Sequence, residues 1–587
     1  MRRGVRLVLM LIGFAVIVSM AGSALLYVLL SRGPSVPDSA TLVLRPGGDL
    51  QDVLPDDVVG QFLGRDATTV RGIVDSLRKA KRDPRITSVL LMPGAITSPY
   101  WAKVQEIRDA ITDFRTSGKK VVAFLEYGGD REYYLASAAD RVFLLPTSPL
   151  DLTGVSSYEV FLRGTLDKIG AFPDYLHIGQ YKTAPNQLTE KQMTAAHREM
   201  TESLNRDAYE QLVRGIAQAR HKSEADVRAL IDRGPFLPED ALREGLVDDL
   251  AYEDQLDDRV PELRASSGEI KRVEGGDYQR ADARSVGFRP RARIAVLYAV
   301  GTITSGKSSF DPVNGSVVGS DTFVQQVRQL RDDASIRAIV LRIDSPGGSS
   351  VASDVIWREL MITRDQKKSR PLIVSMSDLA ASGGYYIAMP GQVLVAEPGT
   401  LTGSIGVYTG KIVYDGTLGK IGVTEQTVKD GANADIDSPF ARFTPDQRTK
   451  MQDIIQGFYD NFVEKVAQAR HATPERIDQL GQGRVWTGAQ AKDRGLVDAL
   501  GGLDTAIAIA KQRAGIPADQ DVELVTYSPR RSLYETLTAP FRGSASLNVW
   551  SMLAGATDLR ALASVTAPVR LFRPNEPLAL MPFSFAR

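Results

Sequence analysis

The 587-residue chain repeats itself. Displaced by 252 positions, Tyr133-Tyr134-Leu135-Ala136 falls on Tyr385-Tyr386-Ile387-Ala388. Without a gap, Pro146 then meets Pro398, Gly154 meets Gly406, and Ile169-Gly170 meets Ile421-Gly422. At 250 positions Ala217–His221 meets Ala467–His471, and Gly245-Leu246-Val247-Asp248 meets Gly495-Leu496-Val497-Asp498. Solenoid repeats run to about 20–50 residues, so a period this long marks a duplicated domain. Both copies alternate short apolar runs with amphipathic stretches. Strands are predicted at 88–92 and 120–125 with a helix over 100–117 between them. The second copy gives strands at 338–343 and 371–376 around a helix at 352–364. This order predicts α/β domains with parallel strands joined by crossovers.

The copies have diverged unequally. Ser382, in Ala-Ser-Gly-Gly-Tyr-Tyr, lies over Asp130, and Lys182, in Tyr-Lys-Thr-Ala-Pro, lies over Ala434. Each half retains one member of a possible Ser/Lys pair, so a site using both needs both halves. The chain has only four histidines (His177, His197, His221 and His471), none within 80 positions of Ser382. A lysine is therefore the more economical base for a serine nucleophile. It can serve when burial lowers its pKa from about 10.4 toward neutrality. Lys411, Lys420 and Lys429 remain rivals to Lys182, and an isolated lysine is most often a surface charge. With no cysteine, the chain has no disulfide, thiolate nucleophile or Cys-based zinc site. Lys+Arg and Asp+Glu both number 71, which gives no reason to expect a nucleic-acid partner.

Small residues flank Ser382 at the start of a helical run, where unpaired N–H groups favour developing negative charge. A serine there is more commonly a simple helix cap. A second glycine pair, Gly347-Gly348, follows the 338–343 strand. Since parallel sheets carry sites at the carboxyl ends of their strands, the amides of Gly347, Gly348 and Gly383 could together form an oxyanion hole. Removing one such donor costs about 10²–10³-fold in rate. The first copy lacks both features, having Met92-Pro93-Gly94-Ala95 and Asp130-Arg131-Glu132 at these places.

At the amino terminus, Arg2, Arg3 and Arg6 precede an uncharged run from Leu7 to Leu30. As a helix it would rise about 36 Å, enough to span a hydrocarbon core of about 30 Å. The arginines place the amino terminus in the cytoplasm. Ala21-Gly22-Ser23 resembles a cleavage site, but the apolar run continues past it and is long for a signal peptide. The expected organisation is an anchor at 1–32, a linker at 33–57, and a lysine-supplying repeat at 58–290. A serine-supplying repeat at 291–514 and a tail at 515–587 follow. The tail could pack on the body, touch the membrane or meet a neighbouring subunit.

Asp344-Ser-Pro-Gly-Gly, Ala381-Ser-Gly-Gly-Tyr-Tyr, Leu401-Thr-Gly-Ser-Ile-Gly-Val and Gly179-Gln-Tyr-Lys-Thr-Ala resemble the signal peptide peptidase A (protease IV) family, peptidase family S49, in its long two-repeat bacterial form. The resemblance implies two tandem ClpP/crotonase-type (β-β-α spiral) domains after a transmembrane helix. It also implies that Ser382 is the nucleophile, Lys182 the general base and Ser404 the hydroxyl that orients the lysine. No cofactor or metal is implied. Expected partners are hydrophobic peptides such as signal peptides, the bacterial inner membrane and further copies of the chain in a homotetramer, with the catalytic body in the periplasm. A crotonase-type acyl-CoA enzyme and a non-catalytic membrane scaffold are the alternatives.

Overall fold

The computed structural model describes residues 36–53, 69–264, 270–311, 315–366, 369–527, 571–573, 575–582 and 585–586, with Val18 and Gly22. The expected anchor lies outside the described residues but for those two. Among the described residues no helix is long and apolar enough to cross a membrane.

Each repeat is built on a sheet of parallel strands covered by helices. In the first, the strand order is Lys271–Glu274, Ala40–Leu44, Ile86–Leu91, Lys120–Leu125, Arg141–Leu144, Asp249–Leu250. In the second, Val522–Tyr527, Ala292–Val300, Ile336–Ser345, Leu372–Ala381, Val393–Ala396 and Ala499–Leu500 follow in the same order. Runs such as Lys-Val-Val-Ala-Phe-Leu at 120–125 are buried almost throughout, as strands covered on both faces require. The same duplication fixes the helices. Ala195–Arg220 and Pro445–Arg470 are each 26 residues long. They end at His221 and His471, left-handed caps with φ of 51° and 52°. Two of the four histidines are thereby structural.

Three stretches differ from the sequence expectation. The 33–57 segment contributes Ala40–Leu44, whose five residues are all buried. Ala40 lies 252 positions before Ala292, so this strand is the counterpart of the second repeat's first strand (40 + 252 = 292). Its Ala-Thr-Leu-Val-Leu run is short and flanked by turn-forming residues, which hides it in sequence. The second repeat likewise continues past 514, because Val522–Tyr527 pairs in parallel with Ala292–Val300. The strand expected to stop at 376 runs on to Ala381 after a register shift, so Ser382 directly follows a strand end.

A third sheet joins the halves. Its order is Ser309–Asp311, Gly315–Gly319, Thr302–Thr304, Gly347–Ser349, Leu578–Leu580, Val407–Val413, Phe172–Ile178. Phe172–Ile178 comes from the first repeat and pairs antiparallel with Val407–Val413 of the second, from Phe172 opposite Val413 to Ile178 opposite Val407. Leu578–Leu580 comes from the tail. Buried charges close the interface: Arg342 reaches Asp52 at 2.7 Å and Glu106 at 2.6 Å, while Lys103 reaches Asp344 at 2.7 Å and Asp378 at 3.3 Å.

Candidate active site

The Leu372–Ala381 strand delivers Ser382 into the gap between the repeats. Its backbone is held at φ 55°, ψ −112°, a conformation disfavoured for a residue with a Cβ and characteristic of strained functional turns. The Ser382 N–H donates to Gly403 O at 2.7 Å, and its carbonyl accepts from Tyr386 N at 2.8 Å. Ser382 precedes the Gly383–Ala388 helix, yet its side chain makes no capping hydrogen bond. The simple-cap reading is excluded by this geometry, which leaves the hydroxyl free for another partner.

That partner is Lys182. Its Nζ lies 2.8 Å from Ser382 Oγ and 3.1 Å from Ser404 Oγ, and it donates to Ser404 O at 3.4 Å. All three residues are fully buried. Burial alone pushes the Lys182 ammonium well below the ordinary lysine range. A buried amine without a charged partner is favoured in its neutral, proton-accepting form.

The lysine arrives from the other repeat through the third sheet. After Ile178 the chain turns at Gly179, with φ of 97°. Tyr181 N then donates to Gln482 O at 2.8 Å, stitching the loop onto the second repeat. Gly483 has a φ of 78°, and a Cβ placed on it would lie 2.6 Å from Lys182 Cβ. A Cβ on Gly406 would come within 3.1 Å of Lys182 Cδ. These glycines create the slot through which the lysine passes. Ser404, held at φ 49° with its N–H bonded to Arg484 O at 2.7 Å, forms the far side.

The rival lysines are occupied elsewhere. Lys411 Nζ donates to Ile436 O at 2.7 Å, Lys429 pairs with Asp435 at 2.8 Å, and Lys420 donates to Lys168 O. Asp130, the counterpart of Ser382, accepts from the Thr153 and Gly154 amides at 3.1 and 3.0 Å. Burial pushes its carboxyl up to about 6, and it ties a loop in place. Ala434, the counterpart of Lys182, is exposed.

Of the three candidate oxyanion glycines, Gly383 follows Ser382 in the chain and Gly347 meets Gly383, whereas Gly348 packs against Ile303. Gly347–Ser349 forms a short strand where the sequence suggests a loop. The Gly347 amide donates to Ser345 Oγ at 3.2 Å, and that hydroxyl in turn donates to Gly301 O at 2.7 Å. A Cβ on Gly347 would lie 2.6 Å from Gly383 N, so these two glycines touch. The sequence reading missed Ser345 and the Lys103–Asp344–Asp378 cluster beneath the site. Asp344 stands within a quoted motif, but its partner comes from the opposite repeat and leaves no local signal. Among the described residues no cluster of His, Cys, Asp and Glu is arranged to hold a metal.

The model of peptidase family S49 matches this chain twice, at residues 113–266 and 364–517. The chain belongs to peptidase family S49. It is 35% identical over 523 residues to the chloroplastic serine protease SPPA of Arabidopsis thaliana, covering 88% of this chain and 76% of that protein. Protease 4 of Salmonella typhi is 35% identical over 453 residues, covering 75% and 71% respectively. Protease 4 of Haemophilus influenzae is 31% identical over 489 residues, covering 81% and 77%. Among solved structures, a mutant of the 1510-N membrane-bound stomatin-specific protease is 16% identical with a TM-score of 0.26, covering 41% of this chain and 100% of that one. A ClpP1 mutant from Listeria monocytogenes is 14% identical with a TM-score of 0.23, covering 36% and 92%. The chain is thus a serine-type peptidase, and the acyl-CoA and scaffold alternatives are set aside.

Proposed function

We propose that this peptidase works through a Ser382/Lys182 dyad divided between its repeats, and that it degrades hydrophobic peptides such as spent signal peptides. The observation that carries this reading is the 2.8 Å approach of Lys182 Nζ to Ser382 Oγ, both residues being fully buried. The Ser382 hydroxyl attacks the scissile carbonyl as its proton passes to the neutral Lys182 amine. Lys182 then gives that proton to the departing amine, leaving an acyl ester on Ser382. Water, deprotonated by the same amine, hydrolyses the ester and regenerates the hydroxyl. The Ser404 hydroxyl holds Nζ in line, and amides among Gly347, Gly348 and Gly383 receive the oxyanion. The repeats take the ClpP/crotonase spiral form in this reading. The uncharged run from Leu7 to Leu30, after three arginines, supports a single-pass inner-membrane anchor with the body in the periplasm. Assembly as a homotetramer rests on the family resemblance.

The test compares hydrolysis of a chromogenic hydrophobic peptide by the wild type, Ser382→Ala and Lys182→Ala at matched folding. Both variants are expected to lose at least about 10²–10⁴-fold in kcat/KM. Retained turnover in Lys182→Ala would remove the lysine from the mechanism.

A further inference from the structure

The strand that delivers Ser382 does not run evenly beside its neighbour. Ile343 lies opposite Met376 and Ser345 opposite Ala380, so two steps along one strand match four along the other. The surplus is a bulge at Ser377-Asp378-Leu379, just ahead of the nucleophile. Bulges bend a strand and re-aim the side chains beyond them. Asp344 fills the gap, its Oδ1 accepting from Leu379 N at 3.1 Å where the regular pairing is interrupted. The same residue stands immediately before Ser345, whose hydroxyl holds the Gly347 amide. Asp344 therefore lies at the root of both the nucleophile turn and the glycine strand.

That carboxylate is held from the other repeat. Lys103, in the first-repeat helix Ala102–Arg115, places Nζ 2.7 Å from Asp344 Oδ2 and 3.3 Å from Asp378 Oδ2. Its backbone N–H donates to Asp378 Oδ1 at 3.1 Å, so Asp378 also satisfies one of the amides a helix leaves unpaired in its first turn. The side chains of Lys103, Asp344 and Asp378 are 8%, 12% and 1% exposed. Two carboxylates this deep need a cation between them, and Lys103 supplies it. The first repeat has no counterpart of this cluster. At the displacement of 252, Asp344 falls on Met92, Asp378 on the exposed Glu126 and Lys103 on the exposed Val355. The first repeat's strand stops at Leu125, and Gly128–Gly129 is a separate short strand.

We propose that Lys103 is a positioning residue for Ser382: by fixing Asp344 against the bulge, it lets the first repeat set where the nucleophile stands. The proposal rests on Ser382 being the nucleophile, and it gives the lysine-supplying repeat a second part in building the site. Lys103 acts through the backbone of 378–382 and leaves the proton transfer to Lys182. A displacement of about 1 Å at a reacting atom can cost about 10²-fold in rate. Loss of this clamp is therefore read in kcat more than in KM.

The test compares wild type, Lys103→Met, Asp344→Ala and the double variant on a chromogenic hydrophobic peptide, each well below its Tm. Arg108→Met is the comparator, a buried cation of the same helix whose partners Tyr134, Ser137 and Gly215 all lie in the first repeat. Each single variant is expected to lose about 10–10²-fold in kcat with KM within about twofold of wild type. The double variant is expected to lose no more than the worse single one, because both act through one bulge. Arg108→Met should lower Tm and keep kcat. Full kcat in Asp344→Ala, additive losses in the double variant, or an equal loss in Arg108→Met overturns the proposal. If Lys103→Met fails to fold, Asp344→Ala decides, since it leaves Lys103 paired with Asp378. Hydrogen exchange over 377–382 supplies a readout independent of turnover. It is expected to quicken in Lys103→Met and Asp344→Ala but not in Arg108→Met, and exchange unchanged in all three also overturns the proposal. Quickened exchange beside a fully active Lys182→Ala would keep the clamp and remove the dyad. A dead Lys182→Ala beside a fully active Asp344→Ala would keep the dyad and remove the clamp.

Discussion

Lys182 is a residue whose buried surroundings act on stability and on catalysis in opposite directions. Between its lowered folded pKa and the ordinary lysine value of 10.5, the unfolded chain holds one proton more than the folded one. Wild-type stability therefore rises with pH across that window, by at most about 1.4 kcal/mol per unit. Lys182→Met abolishes this dependence. Its Tm is expected to exceed that of the wild type at neutral pH, with the gap closing toward the ordinary lysine value, as thermal unfolding over a pH series would show. Activity follows the same group and has the same sign of pH dependence: kcat/KM of the wild type falls as pH drops through the lowered pKa. A pH-independent Tm difference would mean that the lysine is not held neutral.

At the scale of elements, the site depends on where two loops pass each other. Gly483 combines a positive φ with a Cβ position 2.6 Å from Lys182 Cβ. Gly483→Ala thus adds left-handed strain of about 1–2 kcal/mol and pushes on the lysine. The expected result, measured on the same preparation, is a fall of at least about tenfold in kcat together with a clear drop in Tm, because the same Cβ position lies 2.4 Å from the Lys182 backbone N. Loss of stability without loss of turnover would show that the loop can yield without moving Nζ. This is also where sequence reading reached its limit. Ser382 and Lys182 were legible because duplication supplies an internal control, each being present in one copy and absent from the other. The Gly347–Ser349 strand was not, since its partners Ile303 and Leu578–Leu580 lie far off along the chain and Pro-Gly-Gly locally encodes a turn. Ala40–Leu44 escaped notice for a related reason: five residues between turn formers carry too little periodicity to announce a strand that only its counterpart at 292–300 explains.

For the whole molecule, the buried charges between repeats are the most sensitive joint. Arg342 ties the amino-terminal Asp52 and the first-repeat Glu106 to the second repeat's sheet. Arg342→Met leaves both carboxylates unpaired and is expected to cost about 3–5 kcal/mol, read from the denaturation midpoint. A cost under about 1 kcal/mol would mean that the repeats dock without it. The 172–178 strand makes a second demand on the assembled protein. Since that strand pairs with 407–413 within one chain, co-expressed Ser382→Ala and Lys182→Ala chains should show no recovered activity. Recovery to a sizeable fraction of wild type would mean that the lysine crosses between subunits.

The shared sheet also bears on the ancestry of the chain. On the proposed Ser382/Lys182 reading, a duplicated unit with the serine in one copy and the lysine in the other has passed a ratchet. Neither copy can now be discarded, separated or returned to independent work by a single substitution. Restoring Ser at 130 would still leave that residue facing a loop with no amine, and restoring Lys at 434 would put it on an exposed turn. Two genes' worth of sequence have become one indivisible unit of inheritance.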